Sequence, residues 1–195
     1  MTMQDHRLDA ATHVKSLLVR GAAPLLLVLS MVTCTTTPRP AGTLLDAVKR
    51  NDVEQVRRLV QWMDPQDRRR DGWHALQLAA AKGYVPIVGM LIDAGVPVNP
   101  SRRMSTPLHY AACRGHVEVM RCLLDRGARL DARDRFDKTP LHWAAECGAL
   151  EAVRLLLDAG ADPTARSRYG TPADAAKANR HDAVYDLLVR HGATE

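Results

Sequence analysis

The chain has 195 residues, of which 46% are hydrophobic but only 4% aromatic, and a formal charge of +5. That length suits one ordinary domain or a short repeat array, and an apolar set dominated by alanine and leucine favours helices over strands. The mild positive charge suits acidic partners without implying nucleic acid. Four cysteines stand at 34, 113, 122 and 147 with no CxxC pair and no zinc-finger spacing, which indicates neither a metal framework nor a disulfide scaffold.

The first element is MTMQDHRLDAATHVKSLLVRGAAPLLLVLSMVTC, with cations at Lys15 and Arg20 ahead of an apolar stretch over 21–32 and then Cys34. It falls short of the roughly 30 Å hydrocarbon thickness and fits the middle segment of a secretory signal peptide. The segment LSMVTC resembles a bacterial lipoprotein signal. That resemblance implies removal of residues 1–33 and lipidation of Cys34 as the mature first residue. Thr33 and Met31 depart from the preferred residues of that motif, so a plain cleaved signal peptide and an uncleaved anchor or core helix stay open. With about 0.8 kcal/mol per buried CH₂, more than one acyl chain gives stable anchoring. Residues 34–42 then read as a Pro- and Thr-rich linker. The expected location is the bacterial periplasm, lipid-anchored to the outer or inner membrane, with Thr35 in place of Asp leaning toward the outer one.

From residue 43 onward the sequence repeats itself. Asn51, Gly83, Gly115, Gly148 and Arg180 fall in register at intervals of 32, 32, 33 and 32, and Met63, Gly95, Gly127, Gly160 and Gly192 follow at the same intervals. The predicted domain, 43–195, thus divides into about five units: 43–70, 71–104, 105–137, 138–170 and 171–195. Within a unit, Thr106 and Thr139 suit a helix N-cap, with Pro107 and Pro140 at the first helical position. Leu108, Ala111 and Ala112 share one face of the first helix, and Val119, Met120, Leu123 and Leu124 form the facing stripe of the second. Gly115 and Gly127 end the two helices. A single helix pair buries too little apolar surface to stand alone, so the units must stack into an all-α repeat solenoid.

TPLHYAA, TPLHWAA, RGHVEVMRCLLDRGA and CGALEAVRLLLDAGA closely resemble the ankyrin repeat, over about 150 of the 195 residues. The resemblance implies antiparallel helix pairs joined by β-hairpin-like loops that project as fingers, with a concave face formed by the first helices and the fingertips. It also implies that the histidine of TPLH, at His109 and His142, braces neighbouring loops by hydrogen bonding. The first and last units put Lys49, Arg50, Arg57 and Arg58, and Lys177, Arg180, Asp186 and Arg190, where inner units are apolar, as terminal caps exposed to water require. Asn51 tolerates a left-handed turn, whereas Arg180 in the equivalent place costs about 1 kcal/mol relative to glycine. A distorted or mobile turn is expected there.

His109, Cys113, His142 and Cys147 lie on successive first helices, but the bracing role accounts for the histidines, and no metal or cofactor is expected. Cys122 falls in the leucine stripe as a small apolar residue. Cys113 and Cys147 are expected to be free, partly shielded thiols, because adjacent ankyrin units lie about 10 Å apart, beyond an unstrained bridge. Asp131, Asp134 and Asp137 read as turn residues. No nucleophile–base set and no Gly-rich phosphate loop appears, so the chain does not read as an enzyme.

Function is expected at exposed positions on the rigid frame. On the first helices these are Leu78, Tyr110, Trp143, Arg114 and Glu146; on the fingers they are Trp73, Arg103, Arg133, Arg135, Phe136, Arg168 and Tyr169. Five of the eight aromatic residues fall in this set. Aromatic anchors among arginines are typical of protein–protein hot spots, so the expected partner of this monomer is a protein with acidic and apolar surface, and not nucleic acid. By resemblance to short periplasmic ankyrin proteins, it serves as an interaction scaffold in the cell envelope. Toxin immunity, an accessory role to an oxidative-stress enzyme, a redox role for Cys113 and Cys147, and a host-delivered effector stay open.

Overall fold

The computed structural model describes residues 42–99 and 104–193. The expected signal segment, Cys34 and Arg103 lie outside the described residues. Among the described residues the chain is built from helices, with no strand and one isolated bridge between Ser167 and Gly170. Five helix pairs follow in order. They are α1 (Leu44–Lys49) with α2 (Val53–Gln61), α4 (Trp73–Lys82) with α5 (Val85–Asp93), α6 (Pro107–Arg114) with α7 (Val117–Asp125), α8 (Pro140–Glu146) with α9 (Leu150–Asp158), and α10 (Pro172–Ala178) with α11 (Asp182–Arg190). A short helix α3 (Pro65–Asp67) stands between α2 and α4.

The starts of α6, α8 and α10 are fixed by the same chemistry. Thr106, Thr139 and Thr171 hold extended backbone, each followed by proline, and each forms a reciprocal cap with the residue three places on: His109, His142 or Asp174. The hydroxyl takes up a backbone N–H that the first turn leaves without a partner, and proline removes another. First helices pack on first helices along the row, and second helices on second helices. The alanine pairs Ala79–Ala80, Ala111–Ala112 and Ala144–Ala145 are fully buried at or near the shared helix faces, while Leu76, Leu108 and Leu141 alternate with Ile87, Met120 and Leu156 to make one continuous core. Small residues on one side let neighbouring helices approach closely, and larger ones on the other fill the space between layers.

The second unit departs from this plan. In register, Thr106 and Pro107 correspond to His74 and Ala75, so nothing in the sequence stops a helix there. Instead Asp64 caps the chain at Pro65, accepting from the Gln66 and Asp67 amides, and helical backbone runs through a π turn at Arg68–Gly72 directly into α4. Trp73 is carried inward and is only 4% exposed. A Cβ on Gly72 would stand 2.7 Å from Val96, which shows how closely this helix is pressed onto the loop behind it. Trp73, expected on a fingertip, is therefore a core residue. Helix continuation, absent from the other units, turned it.

The turn between paired helices uses the left-handed region at Asn51, Gly83, Gly115, Gly148 and Arg180, with φ of 55°, 79°, 70°, 71° and 61°. The expected distortion at Arg180 is not found. The Arg180 amide reaches Lys177 O at 3.2 Å and the His181 amide reaches Ala176 O at 2.9 Å, as at the glycine turns. The stacked neighbours hold the turn shape, and the arginine accepts the local cost of about 1 kcal/mol.

Candidate functional site

Three of the first helices, α4, α6 and α8, are each tied by one side chain to the loop that leads into the next unit. His109 Nδ1 accepts from the Thr106 amide at 3.0 Å, which leaves the proton on Nε2, and Nε2 donates to Lys138 O at 3.0 Å. His142 does the same between the Thr139 amide (3.1 Å) and Gly170 O (3.1 Å). The bracing role expected for both histidines is thus what the geometry shows. Burial pushes the His109 pKa down to about 4, against a smaller upward pull from the Lys138 carbonyl, and burial also lowers that of His142. In the second unit the same place is held by Gln77, whose amide donates to Ser105 O at 2.7 Å. Sequence reading missed Gln77, because HALQ keeps only the leucine of TPLH. The register alone points to it.

His116 and His181 add a second set of ties. Their Nε2 atoms donate back to Ala81 O (3.1 Å) and Glu146 O (3.2 Å) of the preceding unit. A Cβ on Gly83 or Gly148 would stand 2.9 or 2.6 Å from these rings, so glycine is required there for space as well as for φ.

On this frame the third, fourth and fifth units present one connected surface. Asp134 is its organiser. It was expected as an ordinary turn residue, and it does make the turn, but it is only 1% exposed. Oδ1 accepts from the Phe136 amide (2.8 Å) and the Lys138 amide (2.9 Å), and Oδ2 accepts from Trp143 Nε1 (3.1 Å). The carboxylate thereby fastens the fingertip to the first-helix face. Trp143 stands edge-on to both His109 and Tyr110, at centroid distances of 5.5 and 5.4 Å. Above it, Phe136 and Tyr169 from successive fingers pack at 5.7 Å, the Arg135 guanidinium lies 4.7 Å over Phe136, and Lys138 Nζ lies 5.1 Å from the Tyr169 ring. Lys138 also pairs with Glu146 at 2.6 Å. Asp134→Ala removes the acceptor of three donors. A loss of about 2 kcal/mol in urea-measured stability is expected, with loss of the near-ultraviolet signal of Trp143.

The fingers are joined as well. Arg168 donates its amide to Phe136 O at 3.1 Å and sets its side chain against Asp137 at 3.5 Å, and Arg133 donates to Asp137 O (3.1 Å) and Arg166 O (2.8 Å). Arg133 and Arg168 are therefore partly engaged in holding the loops. Arg114 and Arg135 remain exposed, Tyr169 is 66% exposed, and Phe136, Tyr110, Trp143 and Glu146 are half-buried. Between Phe136, Lys138, Glu146, Tyr169 and Asn179 lies a cleft of about 370 Å³. Of the expected surface residues, eight lie on these connected elements, and Arg114 stands at the end of α6 beside them. Leu78 is half-buried and packs on the core, and Trp73 is inside.

Cys113 and Cys147, expected as free thiols, are joined by a disulfide across the third and fourth units, with Cα atoms 5.2 Å apart. The spacing between equivalent positions misleads here. Cys113 lies in the last turn of α6 and Cys147 is the C-cap of α8, so the two are offset by one residue in their units and stand closer than equivalent positions would. Cys122 is the free cysteine among the described residues, half-buried in α7, and burial raises its pKa. No group of three or more metal-ligating side chains, and no helix long and apolar enough to cross a membrane, occurs among the described residues.

No curated protein matches the chain. The family model for ankyrin repeats (3 copies) matches over residues 44–134, 99–167 and 132–194, which together span all five helix pairs described above. The paired helices, the Thr-Pro caps, the bracing histidines and this match agree: the chain belongs to the ankyrin-repeat family.

Proposed function

We infer from its family, whose repeats generally mediate protein–protein interaction, that this chain is an interaction protein. We propose that this chain is a monomeric docking protein of the bacterial cell envelope, lipid-anchored through Cys34, and that it captures a protein with acidic and apolar surface on the face of its third to fifth units. The observation that carries the reading is two aromatic pairs, Tyr110 with Trp143 and Phe136 with Tyr169, joined through Asp134, with Arg135 over Phe136 and Arg114 exposed at the end of α6. Rigid aromatics beside arginines supply contact area at low cost in lost freedom, and the cations raise the association rate and set orientation. The envelope setting is supported by the lipoprotein-like LSMVTC and by the bridge between Cys113 and Cys147, since disulfides persist in oxidising compartments.

Two measurements test this. The Arg135→Ala, Phe136→Ala, Trp143→Ala variant should bind the partner co-purified with wild type at least about 100-fold more weakly, as loss of two or more hot-spot side chains implies. Equal recovery removes this face from consideration. Mass spectrometry of the mature N-terminus should find an acylated Cys34, and an intact Met1 overturns the envelope setting.

A further inference from the structure

The bridge between Cys113 and Cys147 sits on the same two helices as the aromatic pair of the docking face. Tyr110 lies three residues before Cys113 on α6, and Trp143 four residues before Cys147 on α8, so each cysteine is about one helical turn from its aromatic. Both sulfurs lie outside the continuous apolar core, with Cys147 exposed and Cys113 half-buried. The core contacts between α6 and α8 do not depend on them. Leu108, Ala111, Ala112, Leu141, Ala144 and Ala145 make the buried packing, and the His109 bond to Lys138 O ties the far end. Apolar packing thus runs along both helices, a histidine ties their N-terminal end, and a covalent bond with one exposed cysteine is added at the C-terminal end. Among the described residues no other pair of neighbouring units has such a bond.

We propose that this disulfide is a reversible redox joint between the third and fourth repeats, closed by oxidation and opened by a dithiol, which loosens the C-terminal ends of α6 and α8 while the stacked core stays folded. The chemistry balances. A thiolate of the reductant attacks the exposed Cys147 Sγ, Cys113 leaves as thiolate and is protonated, and the second thiol of the reductant closes on the mixed disulfide to release Cys147. Two electrons and two protons enter the protein, and the dithiol leaves as a disulfide. In the open state α6 and α8 separate at the turns after Arg114 and Glu146, which shifts Tyr110 against Trp143. The joint is a property of this chain and stands or falls independently of which protein docks there.

The test uses the full chain and dithiothreitol as the dithiol. Peptide mapping after alkylation should find Cys113 and Cys147 blocked in the air-oxidised protein and both modified after reduction. Hydrogen exchange should then show protection of the Gly115, His116 and Cys147 amides falling at least tenfold more than that of α5. Cys113→Ser/Cys147→Ser should match the reduced protein and ignore dithiothreitol. Three results overturn the proposal: both cysteines alkylated without reduction, reduction that leaves protection at these amides unchanged, or an equal loss of protection in α5.

Discussion

Stability should fall by about 3 kcal/mol between pH 7 and pH 4 on account of His109 alone. Its folded pKa is pushed down to about 4, chiefly by burial, from an ordinary value of 6.5. The unfolded chain takes up the proton near 6.5 and the folded chain only near 4. The stabilising contribution is therefore complete above 6.5, shrinks as the pH falls through this window, and is gone below about 4. Protonation at Nδ1 would also set two donors, the Thr106 amide and the new N–H, against each other, so the cap fails while Nε2 still donates to Lys138 O. Urea titrations at pH 7, 6, 5 and 4 measure it, with His109→Gln as the control. Glutamine already serves in this place as Gln77, carries no titrating group, and should flatten the difference. Identical pH profiles for the two proteins would refute the assignment.

Removing the bridge should cost a similar amount. It closes a loop with a sequence separation of 34 residues, and the chain-entropy relation gives about 3–4 kcal/mol for a loop of that size. Cys113→Ser/Cys147→Ser should show that loss in urea unfolding against the oxidised wild type, whereas Cys122→Ser should leave the bridge contribution intact. A difference below about 1 kcal/mol would mean that the bridge restricts the unfolded chain far less than the chain-entropy relation requires.

The repeat frame was legible because its determinants are local. Thr-Pro at a helix start, glycine at the left-handed turn and leucine at helical spacing each act within a few residues, and TPLH announces its histidine. The errors share a different cause. Trp73 was placed by register, but whether a residue lies in a loop depends on whether the preceding helix stops, and without Thr-Pro it does not. The bridge was dismissed by comparing equivalent positions, whereas the bonded cysteines are offset by one residue. Asp134 carried the right turn chemistry but no sign that its second oxygen meets an indole nine residues later. Of the proposed docking face, the residue types were readable. The cross-unit geometry that assembles Phe136 with Tyr169 and Trp143 with Tyr110 was not, because it arises only after stacking.

The uninterrupted helical run from Pro65 to Lys82 leaves the amino-terminal part of the array without a protruding loop where later units carry one. A ligand gripping both wall and overhang therefore lacks that hold where the first two units meet, which makes the array directional.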